Sequence, residues 1–272
     1  MVTMSNVWDR TTEVLRGRTG VLASIAALAL YLPGLVRSAV TLTMQPGSTA
    51  FALVGGLVSI VVAVISIWGQ LALLAVATDP ATTRGDAFAR ATARLPAALV
   101  VTIVAILVLV LFLVPIGVAI GLSGADLSAM STVGTMPSLG GGTAAFIGIY
   151  GLAITVIGIA VAARLFLTNA VVLNERRAPG AFAQSWRLTR GLTWRIIGVF
   201  LLYIIVVLVA VSAAQFITGA VFGLLLDSVR TTAFLAAAVA SVVTTIFSVI
   251  AAVFTAQLYV AVTQRGVATV FE

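Results

Sequence analysis

Cysteine, histidine and lysine are all absent from the 272 residues. Without cysteine there is no disulfide, no thiolate nucleophile and no iron–sulfur ligation. Without histidine there is no histidine-ligated zinc or haem and no Ser-His triad. No glycine-rich loop of Walker type is present, so nucleotide hydrolysis is not expected. Charge is scarce as well. Only 8% of residues are charged, against about 25% in soluble domains. The sequence therefore predicts no enzyme and no cofactor.

What is abundant is hydrocarbon. Hydrophobic residues make up 61% of the chain. Six apolar runs, roughly 19–42, 49–78, 97–122, 143–173, 195–225 and 231–263, recur along its length. Each reaches the ~20 residues needed to cross about 30 Å of hydrocarbon, and the longer ones must tilt, kink or protrude. The prediction is an all-α integral membrane protein, a single polytopic domain over 1–272 with six transmembrane helices. Pro33 and Pro115 fall inside the first and third runs and are natural kink points. The first 18 residues carry Asp9, Arg10, Glu13, Arg16 and Arg18 and read as an amphipathic helix, not a signal peptide. The first apolar run is thus expected to be retained.

The cations, 15 arginines giving a net charge of +7, cluster at the ends of the apolar runs. That placement points to anionic lipid head groups as the partner and away from nucleic acid. Arg10, Arg16 and Arg18 precede the first run; Arg84, Arg90 and Arg94 lie between the second and third. Arg176, Arg177, Arg187, Arg190 and Arg195 lie between the fourth and fifth, and Arg265 follows the last. The other side carries only Arg37 and Arg230. By the positive-inside rule, 12 arginines against 2 place both termini in the cytoplasm. The expected location is a bacterial plasma membrane. The third-to-fourth connection, GLSGADLSAMSTVGTMPSLGGGT, would then face outward.

Two stretches align without a gap at an offset of 94: Gln70-Leu71 with Arg164-Leu165, and Ala87-Phe88-Ala89 with Ala181-Phe182-Ala183. A third begins at Gln257-Leu258. The pattern predicts a threefold internal repeat of one amphipathic helix and two spans, with the third copy lacking its following amphipathic helix. The interfacial amphipathic helices are expected at 5–17, 85–95 and 180–191. Trp8 and Leu15, Phe88 and Leu95, and Phe182 and Trp186 mark their apolar faces. Those faces are expected to lie in the cytoplasmic interface. The pairs Gly55-Gly56, Gly117-Gly121 and Gly148-Gly151 are expected to let helices approach closely, or to support dimerisation.

From Ala163 onward the chain reads ARLFLTNAVVLNERRAPGAFAQSWRLTRGLTWRIIGVFLL. An arginine within the span is followed by Glu175 and then by Ala181, Ser185, Trp186, Leu188, Gly191 and Trp194 in a fixed spacing. Over about 30 residues this resembles the membrane domain associated with glycerophosphoryl diester phosphodiesterases. The resemblance implies a six-span membrane domain that occurs fused to a phosphodiesterase or alone. It does not carry over the enzymatic activity, because the histidines of that chemistry are missing.

Arg164 is the sharpest single residue. It lies about nine residues before the end of its run, roughly 13 Å deep at 1.5 Å per residue. A cation there needs a partner. Gln70 and Gln257 at equivalent repeat positions, Asn169, Gln215, backbone carbonyls and a lipid phosphate are the candidates. Arg164 is thus expected either to knit helices together or to bind an anionic head group. Trp186, Arg187, Arg190, Trp194 and Arg195 form an aromatic and basic cluster suited to head-group contact at the interface. Asp79, Asp86 and Glu175 read as helix caps or arginine partners; no metal site is predicted. The functional expectation is a non-catalytic, lipid-associated scaffold with a possible membrane-protein partner. The alternative is a small transporter or accessory permease for a lipid or small anionic solute.

Overall fold

The computed structural model describes residues 3–45, 48–124, 139–175 and 180–268, with side chains as far as Gln264. Arg176, Arg177 and most of the connection at 121–143 lie outside the described residues. Among the described residues the chain is helical, with no strand. The helices are α1 (Met4–Ala26), α2 (Leu32–Thr43), α3 (Gly56–Thr78), α4 (Arg84–Leu122), α5 (Gly141–Leu165), α6 (Thr168–Glu175), α7 (Ala181–Leu188), α8 (Thr193–Leu225) and α9 (Val229–Ala268). Six helical runs are long and apolar enough to cross a membrane: Met4–Thr43, Phe51–Thr78, Arg84–Leu122, Gly141–Glu175, Thr193–Leu225 and Val229–Gln264. A chain with six such runs is a multi-pass membrane protein.

The first run is one helix in outline, yet it changes course twice. Arg18 leaves the helical region at φ −131° and ψ 20°. That kink falls where the amphipathic segment was expected to give way to the span. Farther on, Ala27–Tyr31 forms a π-helical turn in which the Leu32 amide reaches back five residues to the Ala27 carbonyl. Pro33 follows at once. Its ring lacks an N–H and crowds the carbonyl four residues earlier, so the α-helical ladder cannot continue unaltered through Ala29. The expected kink at Pro33 is therefore expressed as a widened turn just before it.

The other two amphipathic segments join their spans differently. Segment 85–95 runs through Pro96 into α4 without a break. Segment 180–191 gives a short helix, α7, that ends in a turn with Gly191 at φ +86°. Only glycine takes that left-handed conformation without strain, and it stops the helix there. The fourth run, predicted as continuous over 143–173, is interrupted at Phe166–Leu167. The Thr168 hydroxyl bonds the Leu165 carbonyl at 2.6 Å, a side-chain contact that competes with the helix ladder.

Packing is concentrated at one end of the bundle. Residues 71–77 of α3 are all buried, as are 170–173 of α6 and 252–259 of α9. Val7 and Thr11 of α1, Ala87 and Ala91 of α4, and Ala181 and Ser185 of α7 sit against this core at 0–1% exposure. Part of each face expected to lie in the membrane interface is thus covered by protein. Phe88 stacks on Trp68, ring centroids 4.6 Å apart, and Trp68 Nε1 donates to Thr92 Oγ1 at 3.0 Å. Small residues at i and i+4 let each segment lie flat on the helix ends beneath it.

Among the described glycines the tightest setting is that of Gly69, where an added Cβ would stand 2.4 Å from Ala29 Cβ. The glycine pairs singled out from the sequence do not serve this role within the chain. Gly56, Gly117, Gly121, Gly148 and Gly151 face open space, and Gly55 meets only the ring of its own Phe51. The reason is position: those glycines lie toward the other end, where the helices diverge.

Candidate functional site

The polar groups at the packed end are organised around helix ends. Because α5 stops at Leu165, the Arg164 carbonyl has lost its helical donor. Ser185 Oγ donates to it at 2.8 Å and Thr189 Oγ1 at 3.1 Å. Both hydroxyls come from the α7 segment and are fully buried. The Arg164 guanidinium turns the same way. It lies 5.1 Å from the centroid of the Trp186 ring and donates from Nη1 to the Trp186 carbonyl at 3.4 Å. A cation over an indole contributes about 0.5–1 kcal/mol at an exposed site. Arg164 therefore clasps the end of α5 to α7; of the expected partners it meets a backbone carbonyl, that of Trp186, and neither glutamine.

The residues proposed to accompany Arg164 do not converge on it. Gln257 is 8% exposed and donates from Nε2 to the Ala77 carbonyl at 2.7 Å, tying α9 to the last turn of α3. Gln70 is exposed on α3. Asn169 lines a separate hollow of about 320 Å³ with Thr102, Thr168 and Phe182. The aromatic and basic cluster is more open. Trp186 and Trp194 are 47% and 85% exposed; Arg187, Arg190 and Arg195 are also exposed. Arg187 bonds the Gln184 side chain, whose Nε2 in turn donates to Glu175 Oε1 at 3.3 Å. Tyr259 Oη donates to the same Glu175 oxygen at 3.2 Å, linking α9 to α6.

The strongest polar junction is one that sequence reasoning used only as a topology marker. Arg18 donates to the carbonyls of Val76 at 3.1 Å, Asp79 at 3.3 Å and Thr82 at 3.0 Å. A guanidinium at the C-terminal end of α3 satisfies orphan carbonyls and meets the negative end of the helix dipole. The non-helical backbone at Arg18 turns the side chain to that task. The position of this arginine, between an amphipathic segment and a span, was the available signal.

The carboxylates are absorbed locally. Asp79 accepts from the Ala81 amide at 3.0 Å and pairs with Arg90 at 3.2 Å. The Ala81 amide foremost, with Arg90 adding to it, holds the Asp79 carboxyl below the usual range. Asp86 forms a reciprocal capping box with Thr83 at the start of α4. Among the described residues no group of three carboxylates, cysteines or histidines is placed to hold a metal ion.

Two apolar grooves lie between α1 and its neighbours. One of about 390 Å³ is walled by Trp8, Phe166, Phe200, Tyr203, Phe247 and Phe254. The other, about 510 Å³, runs along α1 and the π turn against α9, with Arg16 and Thr19 toward one end.

The polar contacts at this end thus join helix ends to one another. Searches of curated proteins and of solved structures return no match. The family described as Domain of unknown function (DUF7847) matches residues 9–262, and the chain belongs to it.

Proposed function

We propose that the protein is a non-catalytic, lipid-associated membrane scaffold whose cytoplasmic end is a rigid plate that organises other membrane components. One observation carries this reading. The polar side chains at the packed end are largely turned to helix-to-helix bonds, while arginines and tryptophans around it stay exposed. Arg18, Gln257, Ser185 and Thr189 all bond carbonyls of other helices. Such bonds make a fixed platform. The exposed Arg187, Arg190 and Trp194 suit anionic head groups. Residues 71–77 of α3, all apolar, are buried at this level, which disfavours a solute path along that helix and hence the permease alternative.

In this reading the amphipathic segments are three copies of one device. Val7 and Thr11, Ala87 and Ala91, and Ala181 and Ser185 occupy matching positions and are all buried. The N-terminal segment packs on α9, with Trp8 6.5 Å from Phe254. It thereby takes the place of an amphipathic helix following the third pair of spans, and the threefold repeat closes as a ring. Both termini face the cytoplasm of a bacterial plasma membrane, as the arginine asymmetry dictates. The likeness to the phosphodiesterase-associated membrane domain fits a role in serving partners.

Native mass spectrometry of the purified protein tests the proposal. Retained anionic phospholipid, with no solute flux in proteoliposomes, is the expected result. Substrate-dependent flux would overturn it. Topology has its own check, because the chain holds no cysteine. Cysteine introduced at Asp9 should label only after permeabilisation, and at Ser228 from outside.

A further inference from the structure

We infer that the groove between α1 and α9 is a binding site for one acyl chain of an anionic phospholipid, with the phosphate held at Arg16. The inference rests on the lipid-associated reading above and assigns it a place. The groove has a volume of about 510 Å³, within the range of small-molecule sites. Its floor owes its depth to small residues on one side, Ala23, Ala26 and Ala27, facing Val242, Ile246 and Val249 of α9. The π turn at Ala27–Tyr31 forms its deep end. Widened turns of this kind frequently mark functional sites.

Its length matches the proposed occupant. From Thr19 to Tyr31 the helical rise is roughly 18 Å at 1.5 Å per residue, slightly more than one leaflet's share of a hydrocarbon core about 30 Å thick. Its charge matches too. Arg16 is exposed and, among the described residues, its guanidinium makes no hydrogen bond or ion pair. Glu13, one turn earlier, forms no ion pair with it. Two residues on, Arg18 is engaged with the carbonyls at the end of α3, so Arg16 stands at the level where these helices end. A single free cation at one end of an apolar channel complements a molecule with a phosphate at one end and hydrocarbon behind it. The aromatic groove at Trp8 has no such cation on its walls.

The test uses the full chain in detergent, titrated separately with palmitoyl-oleoyl phosphatidylglycerol and with the phosphatidylcholine of the same chains, and read by native mass spectrometry. Arg16→Gln should weaken phosphatidylglycerol binding about fivefold, the contribution of one cation at an anionic surface, and leave phosphatidylcholine unchanged. Arg16→Lys should retain binding. Ala27→Trp should fill the groove and reduce both lipids; Ala23→Leu does the same more gently should the tryptophan impair folding, which size-exclusion and melting profiles report. Phosphatidylglycerol binding unaltered in both Arg16→Gln and the groove-filling variant would overturn the assignment. Binding lost in Arg164→Gln alone would also overturn it, while leaving lipid association intact. A wild-type protein that retains no phosphatidylglycerol would sink both.

Discussion

Residues 71–77 of α3 and 103–114 of α4 are similarly apolar stretches of adjacent helices, and their surroundings are opposite. The seven residues of the first are all buried, whereas the twelve of the second are all exposed. The most hydrophobic window of the molecule lies in α4, so hydrophobicity does not decide which end packs. In a bilayer it has no reason to, because lipid tails solvate leucine as well as another helix does. What distinguishes the packed end is small side chains and carbonyl-seeking polar groups. Gly69 admits Ala29, Ala87 and Ala91 lie flat on the core, and Arg18 and Gln257 reach the last turn of α3. Among the described residues the other end has little of this beyond Tyr150 Oη donating to the Phe112 carbonyl at 3.1 Å and Thr232 Oγ1 to that of Phe222 at 3.4 Å.

The contrast can be broken most decisively at glycine. Gly69→Val should destabilise the protein by about 3 kcal/mol, since the backbone of two helices must part. Gly148→Ala, which meets nothing within 4 Å, should be neutral or slightly stabilising. Thermal unfolding in detergent compares them, and equal melting temperatures would refute the assignment of a packed and an open end. Next comes charge. Arg18→Gln should cost about 2 kcal/mol through lost charge-assisted bonds, while Arg37→Gln, distant from that junction, should stay within about 0.5 kcal/mol of wild type.

A smaller effect separates two positions that the repeat makes equivalent. Gln257→Leu leaves the Ala77 carbonyl without its donor and should cost about 1 kcal/mol; Gln70→Leu should change nothing measurable. Equal losses would mean that Gln70 makes a comparable bond to a neighbouring helix. The smallest effect is that of acid. Asp79 has its folded-state pKa lowered, so its stabilisation is fully present above the unfolded value near 3.8. It disappears as pH falls through the depressed folded value. Its partner Arg90 is half exposed, so this contribution is small. Asp79→Asn should flatten the acid limb of a melting-temperature profile by lowering the neutral plateau slightly toward the acid value.

Much of the plan was legible in the residues. The six runs, the change from amphipathic segment to span near Arg18 and a capping or pairing role for Asp86 follow from apolar length and charge placement. The site was less legible. Arg164, Gln70 and Gln257 share a sequence register, yet one clasps α7, one is exposed and one bonds α3. Their fates depend on where α5 breaks, and only the Thr168 hydroxyl hints at that break. The role of Arg18 was hidden for a similar reason: its acceptors lie about 60 residues away at the end of another helix.

By itself, then, the sequence determined that the chain crosses a membrane in six apolar runs, that its cations crowd one side, and that histidine and cysteine chemistry are closed to it. These properties belong to single segments and need no neighbour. Which glycine admits a second helix, which arginine is consumed by carbonyls and which stays exposed, and where grooves open beside α1 were decided only in the tertiary structure. Each depends on a distance between helices remote in sequence, set by one widened turn and one interrupted span.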